Sequence, residues 1–402
     1  MLERQQAVEA SLLPAVVEAG EPVPTWGIRD RMEHYRVPAV SVAVINDGIV
    51  EWAEGYGVKR AGGSDSVSVS TLFQAASISK PVTAAAILRL KDRGVLDLDT
   101  DVNKYLQSWQ VKTNAYTAES PVTLRGLLAH NAGVTVHGFP GYVAGEIVPT
   151  AVDVLNGKGN TDPVEVVSVP GERQRYSGGG YIIAQVLLED LTGEPFHSVI
   201  ESEVVGPMGM SDSTCEQPLP ERLAAVAAVG HGSDGEPIEG RWRTHPEQAA
   251  AGLWTTPTDL ARFLLDLRSA YLGSTDAALK PATVREMLSR QISGSGLGLV
   301  VAGTGDSVRV SHGGANMGYR AFMVLYPVTG DGVAVMTNGE GGRELRMEVV
   351  RAVSRVYDWP DYRPAVKHRL RHMLVLAAEV LIAVGVIVLA IRYARRRRVG
   401  KV

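Results

Sequence analysis

The amino-acid sequence predicts a mixed α/β protein whose antiparallel sheet is formed by both ends of the chain and flanked by helices. Segments rich in β-forming residues occur early, at 37–57, and late, at 295–338. The pattern between them is mostly helical, which indicates a helical subdomain packed against the sheet. With 402 residues, of which 45% are hydrophobic, the chain can bury the core of two lobes.

The individual elements follow from local patterns. The early β-rich segment divides at Asn46-Asp47-Gly48, which is typical of a hairpin turn. An apolar helical pattern follows the stretch SISK at 77–80. Thr256 is predicted to cap another helix, because Pro257 stands at its first helical position. The late segment contains four short strands, and further helices are predicted over 181–191, 196–205 and 342–357.

Changes in composition divide the chain into five parts. The main domain covers 28–357 and contains a helical and loop insertion at about 100–290. The other predicted parts are an N-terminal segment (1–27), a basic linker (358–372), a transmembrane helix (373–391) and a basic tail (392–402).

The transmembrane prediction rests on an apolar stretch at 373–391 in which Glu379 is the only charged residue. A charge near the membrane centre costs about 2–3 kcal/mol, whereas each Leu, Ile or Val returns roughly 0.3–0.6 kcal/mol. We therefore expect a single-pass protein with the membrane as a partner. Basic residues on both sides modestly favour a cytoplasmic C-terminus and a main domain outside the cytoplasm.

The first 20 residues do not support that orientation, since they lack the apolar core of a signal peptide. A main domain outside the cytoplasm requires a start upstream of Met1, and this is the favoured expectation. The alternative is a tail-anchored protein whose main domain lies in the cytoplasm.

Charge argues against nucleic acid as a partner. The net charge is −4, and ten of the 40 Lys and Arg residues lie within 363–402, so the rest of the chain is strongly acidic. Phosphate binding needs clustered basic residues instead. Cys215 is the only cysteine, which rules out an intrachain disulfide and indicates a structural residue.

Ser77 and Lys80 are the first candidates for chemistry. They lie three residues apart where a helix is predicted to begin, which places both on one face, while Ser79 lies off that face. A hydroxyl beside an amine that can give up its proton is a nucleophile with an adjacent base. The spacing arises by chance about once or twice in a chain of this length, so it needs partners elsewhere.

Two further motifs could supply those partners. Tyr176 lies in PGERQRYSGGGY, a glycine-rich turn before a predicted helix, and His312-Gly313-Gly314 ends a predicted strand in VRVSHGGANMGYRAF. Taken alone, the tyrosine is more often a packing residue and the glycine pair more often a bend.

In their order and spacing, the three motifs together resemble the serine β-lactamase and penicillin-binding-protein superfamily. The branch that the chain resembles most contains class C β-lactamases, D-Ala-D-Ala carboxypeptidases and related esterases. The resemblance covers about 28–357 and includes the segments LLAHNAG and AGLWTTPTDLARF. It implies a β-lactamase/transpeptidase-like fold and a serine hydrolase that uses no metal or cofactor, with a small-molecule or peptide-like acyl substrate.

The resemblance also implies roles for single residues. Ser77 would attack an acyl carbonyl, Lys80 would accept or relay its proton, and Tyr176 would act as base and then as acid. His312 stands where many relatives carry Lys. The backbone N–H groups of Ser77 and Ala315 would form the oxyanion hole, and Gly313 and Gly314 would let a substrate lie against the strand.

Two departures from the family pattern bear on the substrate. Gly178 stands where the family usually has Asn, and His312 replaces a fixed cation that would hold a carboxylate. Both favour an esterase-like hydrolase. The alternatives are a D-Ala-D-Ala-type carboxypeptidase or weak β-lactamase, and a non-catalytic binding protein on the same fold. The oligomeric state is left open.

Overall fold

The computed structural model of the protein describes residues 1–367 and 379–388. Its strands are β1 (Val16–Glu18), β2 (Ala39–Asn46), β3 (Ile49–Gly57), β4 (Phe73–Gln74), β5 (Trp254–Thr255), β6 (Val300–Ala302), β7 (Arg309–Asn316), β8 (Tyr319–Tyr326), β9 (Asp331–Thr337) and β10 (Ala365–Lys367). The α-helices within 1–367 are α1 (Leu2–Glu9), α2 (Ile28–His34), α3 (Ser79–Asp92), α4 (Leu124–Leu128), α5 (Ala151–Leu155), α6 (Gly179–Thr192), α7 (Phe196–Ile200), α8 (Glu221–Ala224), α9 (Gln248–Ala251), α10 (Pro257–Tyr271), α11 (Pro281–Met287) and α12 (Gly342–Val356). Short helical turns lie at Ala76–Ile78, Val102–Lys104, Glu201–Val205 and Gly305–Ser307.

The central sheet joins the two ends of the main domain. Its strand order is β3-β2-β9-β8-β7-β6, and every neighbouring pair is antiparallel. The early hairpin turns at Asp47 and Gly48, whose φ angles of 50° and 77° are those of a primed turn. Strand β2 then pairs with β9, so the last strand of the domain lies beside the first. This mixed α/β arrangement, with one antiparallel sheet formed by both ends of the domain and flanked by helices, fits the expectation from the sequence.

Each face of the sheet buries its own set of apolar side chains. On one face Val42 and Val335 pack with Val349 of α12. On the other face Ala43 and Met336 join the larger core of the helical region, which includes α3, α6 and α10. Successive side chains of a strand point to opposite faces, so a strand between two helical layers is apolar throughout. Strand β2 shows this pattern, since only its last residue is partly exposed.

Helix α3 is buried because it runs through the larger core. Its residues from Ser79 to Leu88 are all buried, which explains the run of small and aliphatic residues after SISK. Helix α10 begins as the sequence predicts, with the Thr256 hydroxyl accepting a hydrogen bond from the Asp259 backbone N–H and with Pro257 at the first position.

The prediction of a C-terminal transmembrane helix is wrong. Within 1–367 and 379–388 no helix is long and apolar enough to cross a membrane. The described part of the stretch, 379–388, is helical. Residues 373–378 and 389–391 of that stretch lie outside the described residues. The predicted membrane partner and single-pass localisation depended on this helix and lose their support with it.

Candidate active site

Ser77 lies in the short helical turn Ala76–Ile78 that leads directly into α3. Lys80, one turn on, donates a hydrogen bond from Nζ to Ser77 Oγ at 3.1 Å and another to the Ala250 carbonyl at 2.8 Å. The lysine is only 2% exposed, while Ser77 is partly accessible. The partly accessible Ser77 hydroxyl thus contacts the buried Lys80 amine, which the Ala250 carbonyl of α9 holds in place.

Ser79, the second serine of SISK, makes hydrogen bonds within the protein core rather than to the Lys80 amine. Its hydroxyl donates to the Ala76 carbonyl at 2.6 Å and accepts from the Leu253 N–H at 2.9 Å, and the residue is buried. These bonds hold the turn that carries Ser77 against the strand that begins at Trp254. The structure therefore separates the two serines of SISK into one beside the lysine and one within the packing.

Tyr176 joins this cluster from the turn before α6. Its ring centroid is 5.0 Å from Lys80 Nζ, 4.3 Å from the His130 ring and 6.3 Å from the His312 ring. The ring of the exposed His137 also packs against the Tyr176 ring, with 4.9 Å between the two ring centroids. The three motifs that are distant in sequence thus meet at one place.

His312 and His130 are both neutral imidazoles in this cluster. Burial, followed by the charge of Lys80, lowers the pKa of His312 to about 3. The same two causes hold the pKa of His130 well below its usual range. The His312 Nδ1–H donates to the Gly313 carbonyl at 2.7 Å, whereas His130 Nδ1 accepts from the Ser177 N–H at 3.2 Å. At neutral pH, therefore, neither histidine of the cluster brings a positive charge.

Strand β7 presents an open edge beside Ser77. Strand β6 pairs only with Arg309–Ser311, and in the described part of the chain no strand covers the edge of 312–316. Asn316 pairs with Tyr319 across the two-residue turn to β8. Because pairs alternate along an antiparallel ladder, the N–H and C=O groups of Ala315 point away from β8, toward the open edge. The Ala315 N–H is thus available to a bound group.

Gly314 is what allows this edge to approach Ser77. A Cβ at Gly314 would lie 2.1 Å from the Ala75 carbonyl oxygen, so only glycine fits there. A Cβ at Gly313 would meet nothing closer than 3.8 Å. The two glycines of the His-Gly-Gly motif therefore have different steric roles.

Three non-glycine residues around the cluster have a left-handed backbone. The φ angles are 51° at Ala76, 60° at His130 and 61° at Val136, and a β-branched residue in this region is a clear outlier. Each such residue costs about 1–3 kcal/mol and persists only where its surroundings impose it. Such strain is concentrated at functional sites more often than elsewhere.

Comparison with known proteins agrees with this geometry. The model of the family described as Beta-lactamase matches residues 28–355. The chain belongs to this family. The resemblance noted in the sequence is thereby confirmed, and the chain is a β-lactamase-related serine hydrolase.

Two curated proteins and one solved structure that are similar to this chain bear different names. Penicillin-binding protein 4 of Amycolatopsis lactamdurans is 29% identical over 326 residues, which cover 77% of this chain and 82% of that protein. Esterase EstB of Burkholderia gladioli is 31% identical over 180 residues, or 42% of this chain and 44% of the esterase. The D-amino acid amidase of Ochrobactrum anthropi SV3 superposes with a TM-score of 0.67 at 21% identity, over 88% of this chain and 99% of that chain, and shows the fold alone.

One departure from the usual pattern of the β-lactamase family has a structural counterpart. A Cβ at Gly178 would lie 2.7 Å from the Phe139 ring and 3.2 Å from the His137 carbonyl oxygen. The place toward which an Asn side chain would project is therefore occupied by an aromatic ring. The sequence did not point to Phe139 or His137, because they lie in a loop without periodicity, whereas His130 lies within the family-like segment LLAHNAG.

The steric difference between the two glycines can be tested. We expect Gly314→Ala to lower the free energy of unfolding by about 1–3 kcal/mol, as overpacked sites do, because the added methyl overlaps the Ala75 carbonyl. It should also lower the hydrolase activity by roughly 100-fold through displacement of the edge strand. Gly313→Ala is the matched control and should change the free energy of unfolding by less than about 1 kcal/mol. Urea unfolding of both variants measures this, and equal effects would show that the Ala75 contact is unimportant.

Proposed function

We propose that the chain hydrolyses carboxylic esters through an acyl-enzyme formed on Ser77, and that it prefers esters to amides and β-lactams. The observation that carries this proposal is the 3.1 Å contact of Lys80 Nζ with Ser77 Oγ beside the Tyr176 ring. Nucleophile and base within hydrogen-bond reach of each other are the usual signature of covalent catalysis.

The proposed acylation step uses groups already in place. Ser77 Oγ attacks the ester carbonyl, and its proton passes to Lys80 in the unprotonated form. The carbonyl oxygen becomes an oxyanion that accepts hydrogen bonds from the N–H groups of Ser77 and Ala315. Tyr176, next to the amine, relays the proton to the departing alcohol as the C–O bond breaks. Water then attacks the acyl-enzyme by the same route in reverse, which releases the acid and restores Ser77.

The preference for esters follows from what surrounds the reactive groups. Gly178 has no side-chain amide that could bond to a substrate N–H or C=O. The apolar ring of Phe139 occupies the space into which a side chain at position 178 would project. His312 is neutral and gives no fixed cation for the carboxylate of a β-lactam or peptide. A site that cannot satisfy a substrate's polar groups rejects that substrate strongly, because those groups lose water without a replacement.

A cavity of about 490 Å³ is lined by residues that follow Phe139 and the β7 edge, and we propose that it receives the distal part of the substrate. Pro140, which follows Phe139, lines one side, and Met317, at the end of the β7 edge, lines another. Tyr142 and Val143 add apolar surface, and Arg243 is a charged group of the lining. The cavity thus lies between the loop that follows Phe139 and the turn that follows β7.

The substrate preference can be measured directly. We expect kcat/KM for p-nitrophenyl esters of short acids to exceed that for nitrocefin and for a D-Ala-D-Ala peptide by at least about 100-fold. The double variant Gly178→Asn with Phe139→Ala should narrow this ratio, because the amide returns and the ring that blocks it is removed. Phe139→Ala alone is the matched control and should leave the ratio nearly unchanged. Comparable kcat/KM for nitrocefin in the unmodified protein would favour the carboxypeptidase or β-lactamase alternative, to which the penicillin-binding relative points.

A further inference from the structure

Arg346 lies on α12, on the face of the sheet opposite Ser77, yet it reaches the strand that borders the proposed site. Its Nη1 donates a hydrogen bond to the Gly314 carbonyl at 2.9 Å and another to the Ala321 carbonyl. Its Nε is buried and has no hydrogen-bond partner among the described residues. A guanidinium held by two backbone carbonyls and leaving one donor unused is a costly arrangement that packing alone does not require.

The neighbouring arginines of this region are paired differently. Arg320 forms an ion pair with Glu340, and Arg343, one turn before Arg346 on α12, lies near Glu344 with 78% of its side chain exposed. Arg346 has no carboxylate within ion-pair distance in the part of the chain that the structure describes. Burial, with smaller effects of Arg320 and Arg343, lowers its pKa to about 10, so it is still charged at neutral pH.

The carbonyl that Arg346 contacts belongs to a particular peptide unit. The Gly314 C=O and the Ala315 N–H are the two ends of one planar trans peptide, and they point in opposite directions. The carbonyl faces β8 and α12, and the N–H faces the open edge beside Ser77. A positive charge at the oxygen end draws electrons from the nitrogen end, so the N–H becomes a stronger donor.

We propose that Arg346 is a positioning residue that polarises and fixes the Ala315 N–H as an oxyanion donor from the far side of the sheet. This inference rests on the proposed function, because it assumes that an oxyanion forms at that N–H. Arg346 itself touches neither substrate nor Ser77.

The size of the effect can be bounded from general magnitudes. Loss of an entire oxyanion donor costs about 10²–10³ in kcat. Polarisation strengthens a hydrogen bond by about 10–30%, and loss of the contact also loosens the strand, so about a 10-fold loss in the acylation rate is expected for Arg346→Met. KM for an ester should change little, because the interaction develops with the oxyanion.

The experiment uses the full chain and three variants, with a p-nitrophenyl ester labelled with ¹³C at the carbonyl. Arg346→Met should slow acylation about 10-fold and move the acyl-enzyme carbonyl stretch to higher wavenumber, as weaker hydrogen bonding does. Arg346→Lys keeps a positive donor and should restore part of both effects. Arg343→Met, on the same helix and exposed, is the matched control and should change neither.

The infrared measurement separates this inference from the proposed function. An acyl-enzyme band in the unmodified protein with the same frequency and acylation rate in Arg346→Met would overturn the role of Arg346 alone. Absence of any acyl-enzyme band in the unmodified protein, with ester hydrolysis present, would instead overturn the proposed mechanism. If Arg346→Met fails to fold, the neutral variant Arg346→Gln takes its place, and an unchanged band frequency and acylation rate in that variant would contradict the proposal.

Discussion

Ser77→Ala should lower the hydrolysis of p-nitrophenyl esters by at least about 10⁴-fold, because it removes the atom that forms the acyl bond. The residual rate would come from the oxyanion donors and from substrate binding, which remain in place. The hydroxyl's hydrogen bond in the structure comes from Lys80, so little else in the packing depends on it.

The control for this variant is another serine of the same chain. Ser233 is exposed and lies in a turn away from the cluster, so Ser233→Ala should keep full activity. Circular dichroism and the melting temperature of Ser77→Ala verify that the fold is intact. Activity of Ser77→Ala within 10-fold of the unmodified protein would remove Ser77 from the mechanism.

Lys80→Arg should lose at least about 100-fold in kcat, although it keeps a long nitrogen-bearing side chain at this position. A guanidinium does not give up its proton at any relevant pH, and general-base catalysis is typically worth about 10²–10⁴. The Lys80 amine is also fixed by the Ala250 carbonyl in a site that is 2% exposed, where the larger guanidinium fits poorly. Steady-state and pre-steady-state ester hydrolysis measure the loss.

Two further variants separate chemistry from packing at this position. Lys80→Met is close to isosteric and should lose a comparable amount, because it also lacks a base. Lys91→Arg is the control on the same helix, where Lys91 pairs with Glu286 at 2.6 Å near the surface, and it should stay active. An active Lys80→Met would mean that another group takes the proton from Ser77.

Much of this site could be predicted from the sequence because its parts are coded locally. The three-residue spacing of Ser77 and Lys80 needs only a helix to bring the side chains together, and the structure supplies that helix. The hairpin at Asn46-Asp47-Gly48 and the glycine pair before Ala315 are likewise short-range signals that fix strand pairing. The meeting of Tyr176 and His312 with Ser77 required the resemblance to the family, since no local pattern encodes a contact between distant segments.

The remaining features depend on tertiary contacts that leave no periodic signal. Phe139 faces Gly178 because of the path of a loop, and Arg346 reaches Gly314 through the sheet from a helix that reads as an ordinary amphipathic segment. The membrane prediction failed for a different reason. It rested on the apolar composition of 373–391 alone, whereas within 1–367 and 379–388 no helix is long and apolar enough to cross a membrane.

The central claim is that Ser77 carries the acyl group, and mass spectrometry of a covalent adduct tests it most directly. The full chain is treated with a fluorophosphonate, its intact mass is measured, and the modified peptide is located by digestion and fragmentation. The account predicts one adduct per chain, on Ser77, which is absent in Ser77→Ala and slowed in Lys80→Arg. An adduct on any other residue, or a chain that hydrolyses esters and takes no adduct at Ser77, would contradict it.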